Sequence, residues 1–327
     1  MKFLLRRVGF LLIALWAALT LNFFIPRLMP GNPAQAMMAK FHGHVNPLAL
    51  KALEVAFGVN THQNLISEYF QYFGNTLTGN LGVSVSYFPL SVTSVIAKAL
   101  PWSLALVGVA TIFAFAIGTV LGAITAWRRG GILDNLMPPV FIVVSAFPYF
   151  WVGLLSIWLF ALTLGWFPLL GGYDETATPT FTWGFIVNIL WHAVLPAFTI
   201  IITSIGGWIL TMRNNMLTVL SEDYVKMARA KGLKNKRIIW QYAGRNAFLP
   251  NLTGFAMSLG FVISGAILVE YVYNYPGVGF MLLQAVVNED YALMQALFLL
   301  ITVAVLVSIF ISDILTAVLD PRTRVQT

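Results

Sequence analysis

Long apolar runs with little polar punctuation dominate this chain, and their lengths set the first expectation. A helix needs about 20 mainly apolar residues to cross a hydrocarbon core. Six stretches free of Asp, Glu, Lys and Arg approach or exceed that length: Val8 to Pro26, Ala99 to Trp127, one within Asn135 to Tyr173, one ending at Met212, Asn246 to Val269, and Tyr291 to Ser312. The pattern predicts an all-α membrane protein with six transmembrane helices. The third stretch has 39 residues, about 58 Å as a single helix, so it could also hold two short crossings.

Charge decides between one crossing and two. With six crossings, 15 of the 19 Lys and Arg residues share one side, eight of them between Arg213 and Arg245; the other side keeps Arg27, Lys40, Lys51 and Lys98. The positive-inside rule then predicts that both termini are cytoplasmic, whereas a seventh crossing would export the eight-charge loop. The third helix is therefore expected to stop near Gly165, with Trp166-Phe167-Pro168 as an interfacial turn. Val8 to Pro26 is long for the apolar part of a signal peptide, so Ala34-Gln35-Ala36 is not read as a cleavage site. Patterning over Leu48 to Phe57 and Gln63 to Phe73 predicts short amphipathic helices at the outer surface. The chain thus divides into 1–30 (tail and first crossing), 31–98 (external), 99–320 (a five-helix core containing cytoplasmic loop 213–250) and 321–327 (tail).

Composition agrees: 59% of the 327 residues are hydrophobic and 9% charged, with a mean hydropathy of +0.82, against about a quarter charged in soluble domains. The net charge of +7 is first a topology signal, and nucleic acid is not an expected partner. Zero cysteines exclude disulfides, thiolate-ligated metals and thiol catalysis. The chain has no G-x-x-x-x-G-K-[ST], H-E-x-x-H or G-x-S-x-G, so neither an ATPase nor a hydrolase is visible. His42-x-His44 lacks a third ligand at matching spacing and reads as a solvated loop pair. A proton- or sodium-driven carrier would need ionisable groups within the membrane, and the runs supply none; Asp313, at the end of the sixth, reads as a boundary cap or ion pair. Gly118-x-x-x-Gly122 reads as a close-packing site.

The stretch between the fourth and fifth crossings carries the most information. Ser221 is a fair N-cap with Glu222 and Asp223 in the first turn, and Gly232 a natural stop, which predicts a helix of about three turns. Val225, Ala228 and Gly232 fall on one small-residue face, suited to a membrane surface or a partner's groove.

Glu222-Asp223-Tyr224-Val225, Ala228-Arg229-Ala230-Lys231-Gly232-Leu233 and Arg245-Asn246-Ala247-Phe248-Leu249-Pro250 closely resemble the EAA-type cytoplasmic loop of ABC importer permeases, in the form used by the dipeptide/oligopeptide/nickel permease family. Pro30-Gly31-Asn32-Pro33, Gly79-Asn80-Leu81-Gly82, Glu270 to Gly279, Asp313 and Leu319-Asp320-Pro321-Arg322 extend the resemblance over nearly the whole chain. Asn32 and Asn80 depart from it, standing where an acid is usual, as do Met227, in place of a smaller residue, and Gly244. Pro276-Gly277 is also read as a turn before the sixth crossing.

The resemblance implies a type I ABC importer permease architecture in a bacterial or archaeal plasma (inner) membrane. It implies a second homologous permease subunit, two ABC ATPase subunits and an extracytoplasmic solute-binding protein as partners. No cofactor or catalytic group is implied in this chain. The coupling helix would be Glu222 to Gly232. Tyr224, Val225, Ala228 and Ala230 would fill the ATPase groove, Arg229 and Lys231 would meet acidic rims, and Gly232 would allow a sharp exit. Asn246 to Pro250 would carry motion into the fifth crossing, where Ser258 and Ser264 could face the pathway. On this expectation Ala228→Trp would leave insertion intact and impair transport. Solutes of the family include short peptides, nickel chelates, glutathione and oligosaccharides.

Overall fold

The computed structural model describes residues 2–28 and 64–319. Pro30 to Pro33, His42, His44, the helix expected over Leu48 to Phe57, and Asp320 to Arg322 lie outside the described residues. Within the described residues eleven helices run in order: α1 (Lys2–Leu28), α2 (Leu65–Leu77), α3 (Val92–Trp127), α4 (Ile132–Ala146), α5 (Tyr149–Thr163), α6 (Trp183–Leu220), α7 (Asp223–Ala230), α8 (Asn235–Ile263), α9 (Ile267–Val272), α10 (Val278–Val287) and α11 (Tyr291–Leu319). Among the described residues the only β pairing is an isolated bridge, Val83 to Ser91.

Five of these helices, α1, α3, α6, α8 and α11, are long and apolar enough to cross a membrane, and α4 with α5 forms a pair bent by 92°. The bend has a local cause. Phe147 precedes Pro148, whose ring disfavours helical backbone at the residue before it, and Phe147 is extended (φ −77°, ψ 136°). Helix packing shows that this pair makes one crossing. A Cβ at Gly118 would meet Trp208 and Ile205, and one at Gly122 would meet Ile209 and Met212. Both contacts advance in the same sense, so α3 and α6 run parallel, and the pair between them carries the chain from one end to the other. Gly118-x-x-x-Gly122 is thus the seam that lets α3 and α6 touch backbone to backbone.

Two ends can be distinguished. Arg7 pairs with Asp313 at 2.6 Å, and Arg213 Nε donates to Asp134 Oδ1 at 2.6 Å, at the end that carries α7. The start of α1 and the last turns of α11 lie at this same end. Asp313 therefore makes the boundary ion pair expected of it. At the opposite end α2 packs on α1, where Phe23 meets the rings of Tyr69 and Tyr72 at 5.3 and 5.6 Å and Asn22 Nδ2 donates to Tyr72 at 3.1 Å.

Several boundaries differ from expectation. The third crossing ends at Thr163, close to the expected Gly165, which has a positive φ of 63°. The apolar stretch of the fourth ends at Met212, but α6 continues to Leu220, since Arg213 is a good helix former and pairs with Asp134. The fifth breaks at Ser264-Gly265 (φ +67°) instead of reaching Val269. Beyond the break the chain forms a compact hairpin, α9 and α10, not an exposed loop. Glu270 at its centre is 0% exposed. Its Oε2 accepts from the N–H groups of Gly279 (2.7 Å) and Phe280 (3.2 Å), and its Oε1 from the Ser103 hydroxyl of α3 at 2.7 Å. Glu270 lies beyond the charge-free runs, in the hairpin that follows the break in α8.

Candidate functional site: the α7 loop and its seat

Elementary helix chemistry explains how α7 is placed. Ser221 does not start it: the Ser221 hydroxyl donates to Thr218 O at 2.7 Å, capping the end of α6, and Glu222 is the residue before the first helical turn. At the far end Gly232 has φ +71°, the left-handed conformation that glycine adopts without steric cost. Gly232 N donates to Arg229 O at 2.9 Å and Leu233 N to Ala228 O at 3.3 Å, the paired bonds of a Schellman stop. The expected stop is present, and the helix is shorter than three turns, with eight residues.

Which face of α7 looks outward decides what it can touch. Val225 and Ala228 are 0% and 3% exposed and pack inside the chain with Ala123, Met212, Met216, Ile238 and Ala247. The expectation that these two fill a partner's groove is corrected: their period matches one face, but that face is held against α3, α6 and α8. The outward surface consists of Tyr224 (39% exposed) and Met227 (61%), with Glu222, Lys226, Ala230 and Lys231 also exposed. Lys226 Nζ lies 2.8 Å from Asp223 Oδ1, and this ammonium holds the Asp223 carboxyl below the usual carboxylate range.

Three contacts tie α7 to the crossings. The Arg229 guanidinium lies 5.1 Å from the ring centroid of Trp127, the last residue of α3. Asn246 Nδ2 donates to the Tyr224 hydroxyl at 2.6 Å, joining α7 to α8. Asn215 Nδ2 reaches Ala247 O at 3.4 Å, so α6 and α8 also meet below it. Between α7 and the body of α8, residues Ile238–Ala243 wind as a π-helix, and Gly244 N closes it on Ile239 O. A Cβ at Gly244 would lie 2.5 Å from that oxygen, a physical reason for a glycine at this departure from the expected motif. Pro250 sits six residues further on, inside α8, where it removes one backbone donor. Ser258 and Ser264 both turn their hydroxyls back to their own helix, to Phe255 O and Phe261 O.

Beside this seat a cavity of about 800 Å³ opens between α3 and α8, with Phe115, Thr119, Arg245 and Phe248 in its wall. Composition and spacing could not show it, because it is formed by residues far apart in the chain. Among the described residues no group of three His, Cys, Asp or Glu could hold a metal ion.

The family described as binding-protein-dependent transport system inner membrane component matches residues 118–325, which include the Gly118–Gly122 seam, α7 and the Glu270 hairpin. The chain belongs to this family. It has the nearly all-helical type I ABC permease fold, and it is an inner membrane component of a transport system. It is similar to the di/tripeptide transport system permease protein DppB of Pseudomonas aeruginosa, 32% identical over 100% of this chain and 99% of the relative. It is also similar to the dipeptide transport system permease protein DppB of Lactococcus lactis, 31% identical over 99% of both chains. The oligopeptide transport system permease protein AppB of Bacillus subtilis is 32% identical over 98% of both.

Proposed function

We propose that this chain is one of two non-identical permease subunits of an ATP-driven importer of short peptides, and that α7 is its coupling helix. The peptide reading rests on the names of these three relatives, each of which matches the chain almost end to end. In this reading a solute-binding protein delivers the peptide at the α9–α10 end, and two ATPase subunits sit at the α7 end, which is cytoplasmic by its excess of basic residues.

The observation that carries the coupling role is the division of α7 into a locked inner face and a free outer one. Tyr224, Met227 and Ala230 enter the ATPase groove, with Glu222, Arg229 and Lys231 at its rim. Val225 and Ala228 do not touch the ATPase; they make the helix part of the rigid seat. Asn246 passes its displacement from Tyr224 into α8, and Pro250 gives that helix a weak point at which to bend.

The test is reconstitution with the partner permease, ATPases and binding protein. Met227→Asp places a charge in the groove contact, and burying an unpaired charge costs several kcal/mol. Uptake and peptide-stimulated ATP hydrolysis should fall together, while the variant accumulates in the membrane normally. Full coupled uptake in this variant and in Ala230→Trp would remove α7 from the mechanism.

A further inference from the structure

The cavity between α3 and α8 contains a group that nothing in the protein uses. Arg245 is exposed at its rim and has no hydrogen-bond or ion-pair partner among the described residues. It lies 18 residues before the end of α8 at Ile263, about 27 Å along the helix, toward the α7 end. Phe115 lies 12 residues inside the Trp127 end of α3, and the cavity therefore reaches about 18 Å along α3 from that end. No acidic residue lines it. A cation at the mouth of a deep, mostly apolar space suits an anion with an apolar body.

Two further features distinguish a peptide from a lipid tail. Thr119, 7% exposed, stands in the wall and accepts a 2.7 Å hydrogen bond from Asn251 Nδ2, leaving its own hydroxyl proton to donate into the cavity. An acyl chain would leave this hydroxyl unanswered, whereas a peptide backbone carries the complementary C=O. The second feature is the wall itself. Trp240, Gln241 and Gly244 belong to the π-wound segment and its closing residue, soon after α7, while Thr119 belongs to α3. The two walls thus belong to different helices, α8 and α3.

We infer that this cavity is an inner-side subsite for a peptide in transit, in which Arg245 pairs with the peptide's terminal carboxylate. The inference rests on the peptide reading above and adds to it the end of the solute that is held and the residue that holds it. Thr119 donates to a peptide carbonyl, and the aromatic wall of Phe115 and Phe248 receives the last side chain. The amino end, for which the cavity offers no acid, stays in water. Release occurs when α7 moves the Arg245 wall away from α3.

The experiment compares uptake of a tripeptide and its C-terminal amide by the assembled transporter in vesicles. The binding protein's own preference cancels when each variant is referred to the natural chain. Arg245→Gln should lower the carboxylate-to-amide ratio about tenfold, the size of one lost charged hydrogen-bond pair. Arg245→Lys should restore part of it. Equal loss for both peptides, or loss for neither, overturns the inference. Val120→benzoylphenylalanine, at the cavity wall, should cross-link a labelled peptide in the nucleotide-free complex; capture of phospholipid or of the partner permease instead overturns it as well. If the natural complex hydrolyses ATP but imports neither peptide, the substrate reading fails and the subsite falls with it. A selective loss of the carboxylate preference supports both.

Discussion

The carboxylate of Glu270 fixes the α9–α10 hairpin with three hydrogen bonds, to Ser103, Gly279 and Phe280, and three glycines surround it. A Cβ at Gly265, Gly277 or Gly279 would approach or overlap the carboxylate. Glu270→Ala leaves two buried N–H groups and a hydroxyl without an acceptor, each costing about 1–3 kcal/mol. The midpoint of unfolding in mixed detergent should drop clearly, with Glu270→Gln dropping less because one acceptor oxygen survives. Gly277→Ala should resemble Glu270→Ala; an unchanged midpoint in both would show that the knot contributes nothing. The chain turns at Tyr273-Asn274 and only bends at Gly277, beside the expected Pro276-Gly277 turn, and the burial of Glu270 was not legible at all. Searching for charge-free runs assigns any acid to a loop, and its partner Ser103 lies 167 positions away. A lone acid flanked by glycines at 265, 277 and 279 was the available signal.

Among the elements, α7 shows what periodicity can and cannot decide. The spacing placed Val225 and Ala228 on one face and the glycine at the stop, as found, although Gly232 itself is exposed beyond the helix end; spacing is silent on whether that face meets a partner or the chain's own core. Burial answers this, and it reverses one expectation. Ala228→Trp forces a large ring into the space shared with Ala123 and Met216; overpacking of this kind costs about 1–3 kcal/mol or more. This variant should accumulate poorly and lose monodispersity in size-exclusion chromatography, whereas Ala230→Trp on the outer face should purify like the natural chain. Identical behaviour of the two would contradict the inward orientation. Gly232→Ala imposes a left-handed residue worth about 1–2 kcal/mol of strain, read as a smaller loss in the same unfolding assay. The bend at Phe147-Pro148 comes from a local rule about residues before proline. The pairing of Arg213 with Asp134 does not, because its partner arrives from another helix.

At the scale of the whole molecule, the number of crossings and the parallel pairing of α3 and α6 agree with the distribution of basic residues, since six crossings return both ends of the chain to the side of the basic loop. Single cysteines at Asn235 and Thr178 should therefore react with impermeant maleimide from opposite faces of oriented vesicles, Asn235 from the cytoplasmic face; labelling from one face would break the six-crossing reading. The length of α6 has a mechanical consequence. It runs 38 residues without interruption, about 57 Å, and the Gly118–Gly122 seam of α3 fastens that helix alongside it. A rod of that length, pivoted at its Trp183 end, displaces its Leu220 end by about 1 Å for every degree of tilt. A few degrees of rocking at the α7 end would thus be enough to exceed the tolerance of a hydrogen bond, and the same few degrees would be almost imperceptible at the Trp183 end.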